Sequence, residues 1–471
     1  MRYRHLLLAC LVVGLSSLPL ASPLTGQPPL SVERGQIERE GRTWVEHVGC
    51  FAPVAEGGRL VLRTDIGSVV VSVGQNDRME CTVRLRAYAS DEEEARRQLG
   101  RFEVGLRSLE GGGVSLRGRV TDSTPDSKDK YGRWKRRDSL RLKVDYIVRV
   151  PLRFNLDVET SGGEIEVEQL QGELQAVTAG GSIRSGDISG AVRVETAGGG
   201  IYLGNLGQRA EVRTAGGGIR VGDVQGDAVL ETSGGEIVAG KIAGTGQVTT
   251  AGGDVVVRAS GGDLIAETAG GQIHVGEAGG SVRAETAGGS IQLDATRGPV
   301  QAETAGGCIY LDRIATGVRA ATVAGKISAR FTANRASFVA SMLESAFGDV
   351  EVYLPADLPL TIDAVIENAS GHTITSDFPL QVQGDQQGFQ FQPRTVAARG
   401  LLNGGGELLR IRTTAGSIEI RRLDMAEMQQ LQQKNESLWK RLFEREKRRE
   451  EKREMRTPKP PTPPSPPTEE E

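Results

Sequence analysis

Threonine stands at positions 160, 178, 196, 214, 232, 250, 268, 286, 304 and 322, each 18 residues after the last without a slip. Strict internal periodicity of this kind is met by stacked or radial repeat architectures, so it restricts the fold before anything else is considered. Each Thr opens a Thr-(Ala/Ser)-Gly-Gly motif, which degenerates to Thr322-Val323-Ala324-Gly325 in the tenth unit. With the Thr as position one, position six is Ile165, Ile183, Ile201, Ile219, Ile237, Ile273, Ile291, Ile309 and Ile327, with Val255 in the remaining unit. Position eight is Val167, Leu203, Val221, Val257, Val275, Leu293 and Leu311 in seven units. Further apolar columns lie at positions eleven, fifteen and seventeen, the last two carried by residues such as Val192 and Val194.

Positions six and eight share one face of a strand, as do fifteen and seventeen. Between these pairs the parity switches, so the chain must turn. Position thirteen is Gly in seven units, including Gly172, Gly190 and Gly226, and the second switch falls at the Gly-Gly pair. Each unit reads strand, Gly turn, strand, Gly turn. One unit cannot bury its apolar side alone, but stacked units can. The fold class expected is therefore all-β: a parallel β-solenoid with 18-residue coils, its ten coils rising about 48 Å at about 4.8 Å each. Inward aliphatics every six residues, as a hexapeptide helix demands, are missing, so a flattened two-sheet coil is expected. The Gly pair should supply positive φ or close approach between coils. The Thr should point inward, its hydroxyl bonding along the stack. An exposed Thr file would instead suggest ice binding, although one column is narrow for that.

Composition supports this reading. Aromatics make up only 4% of the chain, so the core must be built from small and branched aliphatic side chains. Lys and Arg number 57 against 61 Asp and Glu, a near-balance that gives no argument for a nucleic-acid or anionic-membrane partner. Four Cys and four His exclude a disulfide-dense scaffold and argue against a Cys-rich zinc module or an iron–sulfur protein.

The termini read differently. Arg2 and Arg4 precede an apolar run with a small-residue exit near Ala21, the pattern of a signal peptide over residues 1–22. The run is short for a membrane span, so a cleaved signal is expected, with an uncleaved anchor as the alternative; no integral span is expected after its removal, and export to the periplasm, cell surface or medium follows. Cys10 falls too early for a lipoprotein acceptor. Of the remaining Cys50, Cys81 and Cys308, the first two could pair in an oxidising compartment or stay as thiols. Residues 23–56 read as a linker or N-terminal extension, 57–155 as a β-rich module with one short helix beginning at Ser90-Asp-Glu-Glu-Glu, and 156–340 as the repeat array. Arg59 to Val71 carries a looser copy of the coil. Val120 to Ser139 reads as a loop bearing a basic cluster, Arg133, Lys135, Arg136 and Arg137 around Trp134. Residues 341–423 read as a C-terminal β cap, in which Thr414-Ala-Gly-Ser-Ile-Glu-Ile is one more coil copy. Residues 424–456 are a charged helix. Its Met428, Leu431, Asn435, Leu438 and Leu442 follow coiled-coil spacing, which permits either a homo-oligomer or docking on the body. Residues 457–471 hold seven prolines and read as a disordered tail.

The motif Thr-(Ala/Ser)-Gly-Gly-x-Ile-x-(Val/Leu), the lead-in Tyr146-Ile-Val-Arg-Val-Pro151 and the closing Gly-Asp-Val-Glu-Val-Tyr-Leu-Pro together resemble the bacterial putative-adhesin family of β-strand repeat proteins, the DUF4097-like β-solenoids, over residues 57–422. The resemblance implies an envelope-associated or exported β-solenoid with an adhesive role. It carries no catalytic residues over to this chain.

β-Solenoids also host polysaccharide lyases and hydrolases. Asp294 and Asp312 occupy one outward column in successive coils, compatible with a carboxylate pair or a weak Ca²⁺ site. Glu267, Glu285 and Glu303 form a similar file beside Arg283, and a solvated charged face is the expectation for both. His274 points outward with no nucleophile or metal-ligand partner at motif spacing. Tyr202 and Tyr310 share a column six coils apart, too far for one sugar platform. No catalytic, cofactor-binding or metal residue is assigned, and no cofactor. The function expected is a non-enzymatic exported adhesin-like scaffold for an envelope glycan or protein. A carbohydrate-active enzyme using Asp294 and Asp312, and an envelope assembly protein oligomerising through 424–456, are the alternatives.

Overall fold

The computed structural model describes residues 30–121, 141–384 and 395–454. The candidate signal peptide, the basic cluster at 133–137 and the Pro-rich tail lie outside the described residues.

The 18-residue period is the rise of one rung. Ile183–Ser185 pairs in parallel with Ile201–Leu203, which pairs with Ile219–Val221, each Ile opposite the next. Leu174–Thr178, Val192–Thr196 and Ala210–Thr214 stack in the same way, Thr178 opposite Thr196 opposite Thr214. Every coil thus gives one strand to each of two sheets that are parallel through the array and, with their antiparallel ends, reach 19 and 18 strands among the described residues. The inward columns at positions six, eight, fifteen and seventeen close the core between them. Position eleven supplies a third buried file in which Leu170, Ile188, Leu206, Val224 and Ile242 bridge rung to rung. Small aliphatics suffice because the two sheets and this file leave little width to fill.

The Thr file is buried, which removes the ice-binding alternative. Each hydroxyl donates to the carbonyl of the second motif Gly one coil earlier: Thr178 to Gly163 at 2.8 Å, Thr232 to Gly217 at 2.7 Å, Thr322 to Gly307 at 3.0 Å. The bond ties each corner to the next, so the ladder joins Thr to Gly rather than Thr to Thr. The two glycines differ. A Cβ on Gly289 would lie 1.9 Å from the Gly271 carbonyl oxygen, whereas one on its neighbour Gly288 would find nothing closer than 3.4 Å. None of these motif glycines has positive φ; of the two expected reasons, only close approach applies, and only to the second Gly.

The flanks continue the same sheets. Arg59–Thr64 and Ser68–Val73 pair in parallel with Asn155–Thr160 and Ile165–Val167, so the looser copy is a rung. Beyond the regular array, Ser341–Phe347 with Val350–Leu354, and then Leu408–Ala415 with Ile418–Arg422, add further rungs. Antiparallel strands cover both ends: Thr43–Pro53 on Arg78–Ala87 at one, Leu360–Ile366 on Val396–Leu402 at the other. Such ends spare the stack an exposed parallel edge. The expectation of a linker over 23–56 is corrected here, because Thr43–Pro53 alternates and buries Val45, Val48, Cys50 and Ala52. Cys50 lies directly opposite Cys81 on the paired strand, both as buried thiols. A hydrogen bond to Cys50, aided by burial, pushes the Cys81 thiol up.

Among the described residues, two helices accompany the sheets. The first, α1 (Glu92–Leu99), starts where Asp91 accepts the Glu94 N–H at 2.8 Å and carries Glu92, Glu93 and Glu94 in its first turn, as its N-terminal sequence predicts. The second, α2 (Met425–Glu454), follows the last strand of the chain and runs back along the array. Four rungs separate Ile418–Arg422 from Ile291–Thr296, about 19 Å at rung spacing. Met425 to Trp439 covers about 21 Å at helical rise. The helix therefore lies nearly along the stacking axis, and it docks on the body rather than standing free.

Candidate functional site

Two surfaces collect the candidate residues. The first is a groove of about 1000 Å³ beside the outer face of the second sheet. Its floor is the Thr–Ala corner of successive coils, including Ala251, Ala269, Ala287 and Ala305. Its wall is the expected glutamate file: Glu267 pairs in register with Glu285, and Glu285 with Glu303. Glu344 and Glu367 extend the lining. Arg283 reaches Glu285 at 2.7 Å, and Gln301 donates to Glu303 at 3.1 Å. One strand of spacing brings each carboxylate close to the next, and these neighbours offset part of the repulsion.

The second surface is the outer face of the first sheet beneath α2. Here the expectation of a solvated Asp294–Asp312 pair fails. The Asp294 side chain points away from the core, yet its residue is only 2% exposed. Asn435 and Trp439, one helical turn apart on α2, donate to its two oxygens at 2.9 and 2.7 Å. Gln292 Nε2 adds a bond at 3.0 Å, and His274 Nε2 stands 3.4 Å from both oxygens. The Trp439 and His274 rings lie 4.4 Å apart. Position nine of that coil is Gly276, where a Cβ would meet the Arg258 carbonyl oxygen at 2.3 Å and the Trp439 ring at 3.1 Å, so the glycine lets the coils approach and also leaves room for the indole. His274 thus has its partner 20 residues away, at a spacing no local motif reveals.

Asp312 has a separate environment. The ladder pairs Gln292 with Tyr310 and Leu293 with Leu311 and resumes only at Thr296 with Ile314; within the gap Arg313 adopts φ 48°. Asp312 is buried and bonds Arg330 at 2.9 Å, and that guanidinium sits 4.5 Å from the Tyr353 ring centroid. Burial pushes the Asp312 carboxyl up, against the pull of Arg330. The two aspartates are near each other but separately engaged, one by α2 and one by Arg330. Among the described residues, no group of three His, Cys, Asp or Glu side chains is placed to hold a metal ion. Tyr202 lies instead between Arg184 and Arg220, 5.4 and 5.9 Å from its ring centroid.

Sequence reasoning missed the helix side of this cluster. Asn435 was visible as a polar residue on a hydrophobic seam, and it is the seam's link to Asp294. Met428 of the same seam is buried as well. Trp439, just off the seam, carried no signal beyond its rarity.

The chain matches no protein-family profile and no curated protein. Among solved structures it is similar to a "putative cell adhesion protein" from Clostridium sporogenes ATCC 15579, at 10% identity and a TM-score of 0.16, over 80% of this chain and 99% of that one. It is also similar to a "putative adhesin" from Bacteroides fragilis NCTC 9343, at 13% identity and a TM-score of 0.20, over 60% of this chain and 95% of that one. No helix among the described residues is long and apolar enough to cross a membrane.

Proposed function

We propose that the chain is a non-enzymatic, exported, adhesin-like scaffold that binds a cell-envelope glycan or protein along the glutamate-walled groove. The groove is the observation that carries this reading. Successive rungs present the same Thr–Ala corner, and three of them the same carboxylate, so the surface repeats along the stack. A surface that repeats at rung spacing suits an extended or repetitive partner better than a compact small molecule. The enzyme reading loses its chemistry, because both oxygens of Asp294 are taken up by N–H donors and Asp312 is bound to Arg330. Within the 424–456 seam, Met428 is buried and Asn435 bonds Asp294 of the chain's own coil, which favours docking on the body over oligomerisation.

Glycan-array and whole-cell binding assays with the full chain test the proposal. Binding to an envelope component that is abolished by Ala287→Trp, which fills the groove floor, is the expected result. Failure to bind any envelope component, or binding untouched by that substitution, overturns it.

A further inference from the structure

We infer that α2 is a detachable strap, held on the outer face of the first sheet by the buried carboxylate of Asp294 and able to leave that face without unfolding the coils beneath.

The argument begins with how the coils close. Ile273–Ala278, Ile291–Thr296 and Ile309–Ile314 are joined by their own parallel ladders, and their inward residues Ile273, Val275, Ile291 and Leu293 belong to the one continuous core. Among the described residues, none of α2 belongs to that core. Removing the helix would therefore take no side chain from between the sheets. What α2 brings is Met428, which is buried, and the polar pair Asn435 and Trp439. The rest of its described surface is largely exposed, with Lys434, Glu436, Lys440 and Arg441 facing solvent.

The seat is specific to one place in the array. Position nine is glycine in five coils, at Gly186, Gly204, Gly222, Gly240 and Gly276. Gly276 leaves the notch for the indole, and the next rung replaces glycine with the acceptor, Asp294. The described contacts thus form a single charged anchor with a shaped pocket beside it. A carboxylate is acceptor-only, and both its oxygens here face N–H donors. Replacing either oxygen with an amide NH₂ sets donor against donor, so the anchor requires the carboxylate and not merely a side chain of that shape. When the helix is docked, it covers Asp294 and the face of His274; when it leaves, this polar strip becomes a free surface.

Hydrogen–deuterium exchange of the full chain, read by mass spectrometry, tests the inference. In Asp294→Asn, amides of 425–441 should exchange faster by about tenfold or more, while those of 273–296 keep their protection. Trp439→Phe, which keeps a ring and removes the indole donor, should give a smaller change in the same segment. Asp312→Asn, one rung away and bonded to Arg330 rather than to any described residue of α2, should leave the helix as it is. Unchanged helix protection in Asp294→Asn overturns the inference. So does loss of protection in the coils together with the helix, which would make Asp294 part of the fold, and so does equal release by Asp312→Asn.

Discussion

The two outer faces of this solenoid obey the same 18-residue rule and have different fates. Along the second sheet the rule extends to the surface: Glu267, Glu285 and Glu303 repeat, the Ala corners repeat, and the face stays open as a groove. Along the first sheet the outward residues stop repeating. Position seven runs His274, Gln292, Tyr310 and Ser328, and position nine runs Gly276, Asp294, Asp312 and Arg330. That is where α2 docks and where charge is buried. In a stacked array, repetition maintains the stack, and departures from it mark where something other than the next rung must be fitted.

The sharpest way to break this view is to attack repetition itself. Gly289→Ala places a Cβ 1.9 Å from a backbone oxygen of the preceding coil. Relief requires two rungs to separate, so the cost should be about 3 kcal/mol or more, at the upper end for overpacking. Gly288→Ala, one residue away, should cost under about 1 kcal/mol because the site has room and an ordinary φ. Urea denaturation of the two variants checks the difference. Equal losses would mean that the Gly pair acts through backbone conformation and not through approach between coils.

Next in size is the buried charge that marks the non-repeating face. Arg330→Ala leaves Asp312 buried without its cation, which should cost about 3 kcal/mol. Asp312→Asn should be far milder, because burial already disfavours the charged carboxyl. If the two substitutions cost the same, the pair contributes by attraction alone and the burial argument fails.

How much of this was legible follows the same division. The rung, its two sheets and its buried Thr could be read because each column is repeated ten times, so one odd residue cannot hide the pattern. The stacking of the two outlying copies was partly legible: the Arg59 copy keeps Thr64 ahead of Val69 and Val71, but in the closing copy the residue in the Thr file is Thr413, one before the Thr414 that the motif suggested. The Asp294 cluster was not. It joins residues 20 and more than 140 positions apart, and no period relates a helix to the sheet it covers. The linker reading of 23–56 failed because Thr43–Pro53 lies outside the repeat, so no periodic column marks it as a strand.

A smaller effect belongs to the corner ladder. Thr286→Val removes the hydroxyl that donates to Gly271 at 2.9 Å and leaves a buried carbonyl without that donor, for about 1–2 kcal/mol. Several such changes in adjacent coils should add more than linearly, since neighbouring corners share their bonds. Strict additivity across Thr268, Thr286 and Thr304 would show that each corner closes independently.

The weakest expected effect separates open from covered carboxylates by the sign of their pH dependence. At open corners, Asp227 accepts the backbone N–H and then the hydroxyl of Thr245, and Asp263 accepts from the hydroxyl and N–H of Ser281; both carboxyls are held below their ordinary value. A depressed folded-state value gives stability that is present above the unfolded carboxylate range and lost as pH falls through the folded value. Asp312, raised by burial, works the other way: protonation relieves it, so its contribution improves as pH falls through its folded value. Urea midpoints measured from neutral pH down to about 3 should therefore drop less steeply in Asp227→Asn and Asp263→Asn than in the parent chain. In Asp312→Asn they should drop more steeply, because a carboxyl that gains from acid is gone. The same slope in all three variants would mean that cover by the neighbouring rungs does not distinguish these groups.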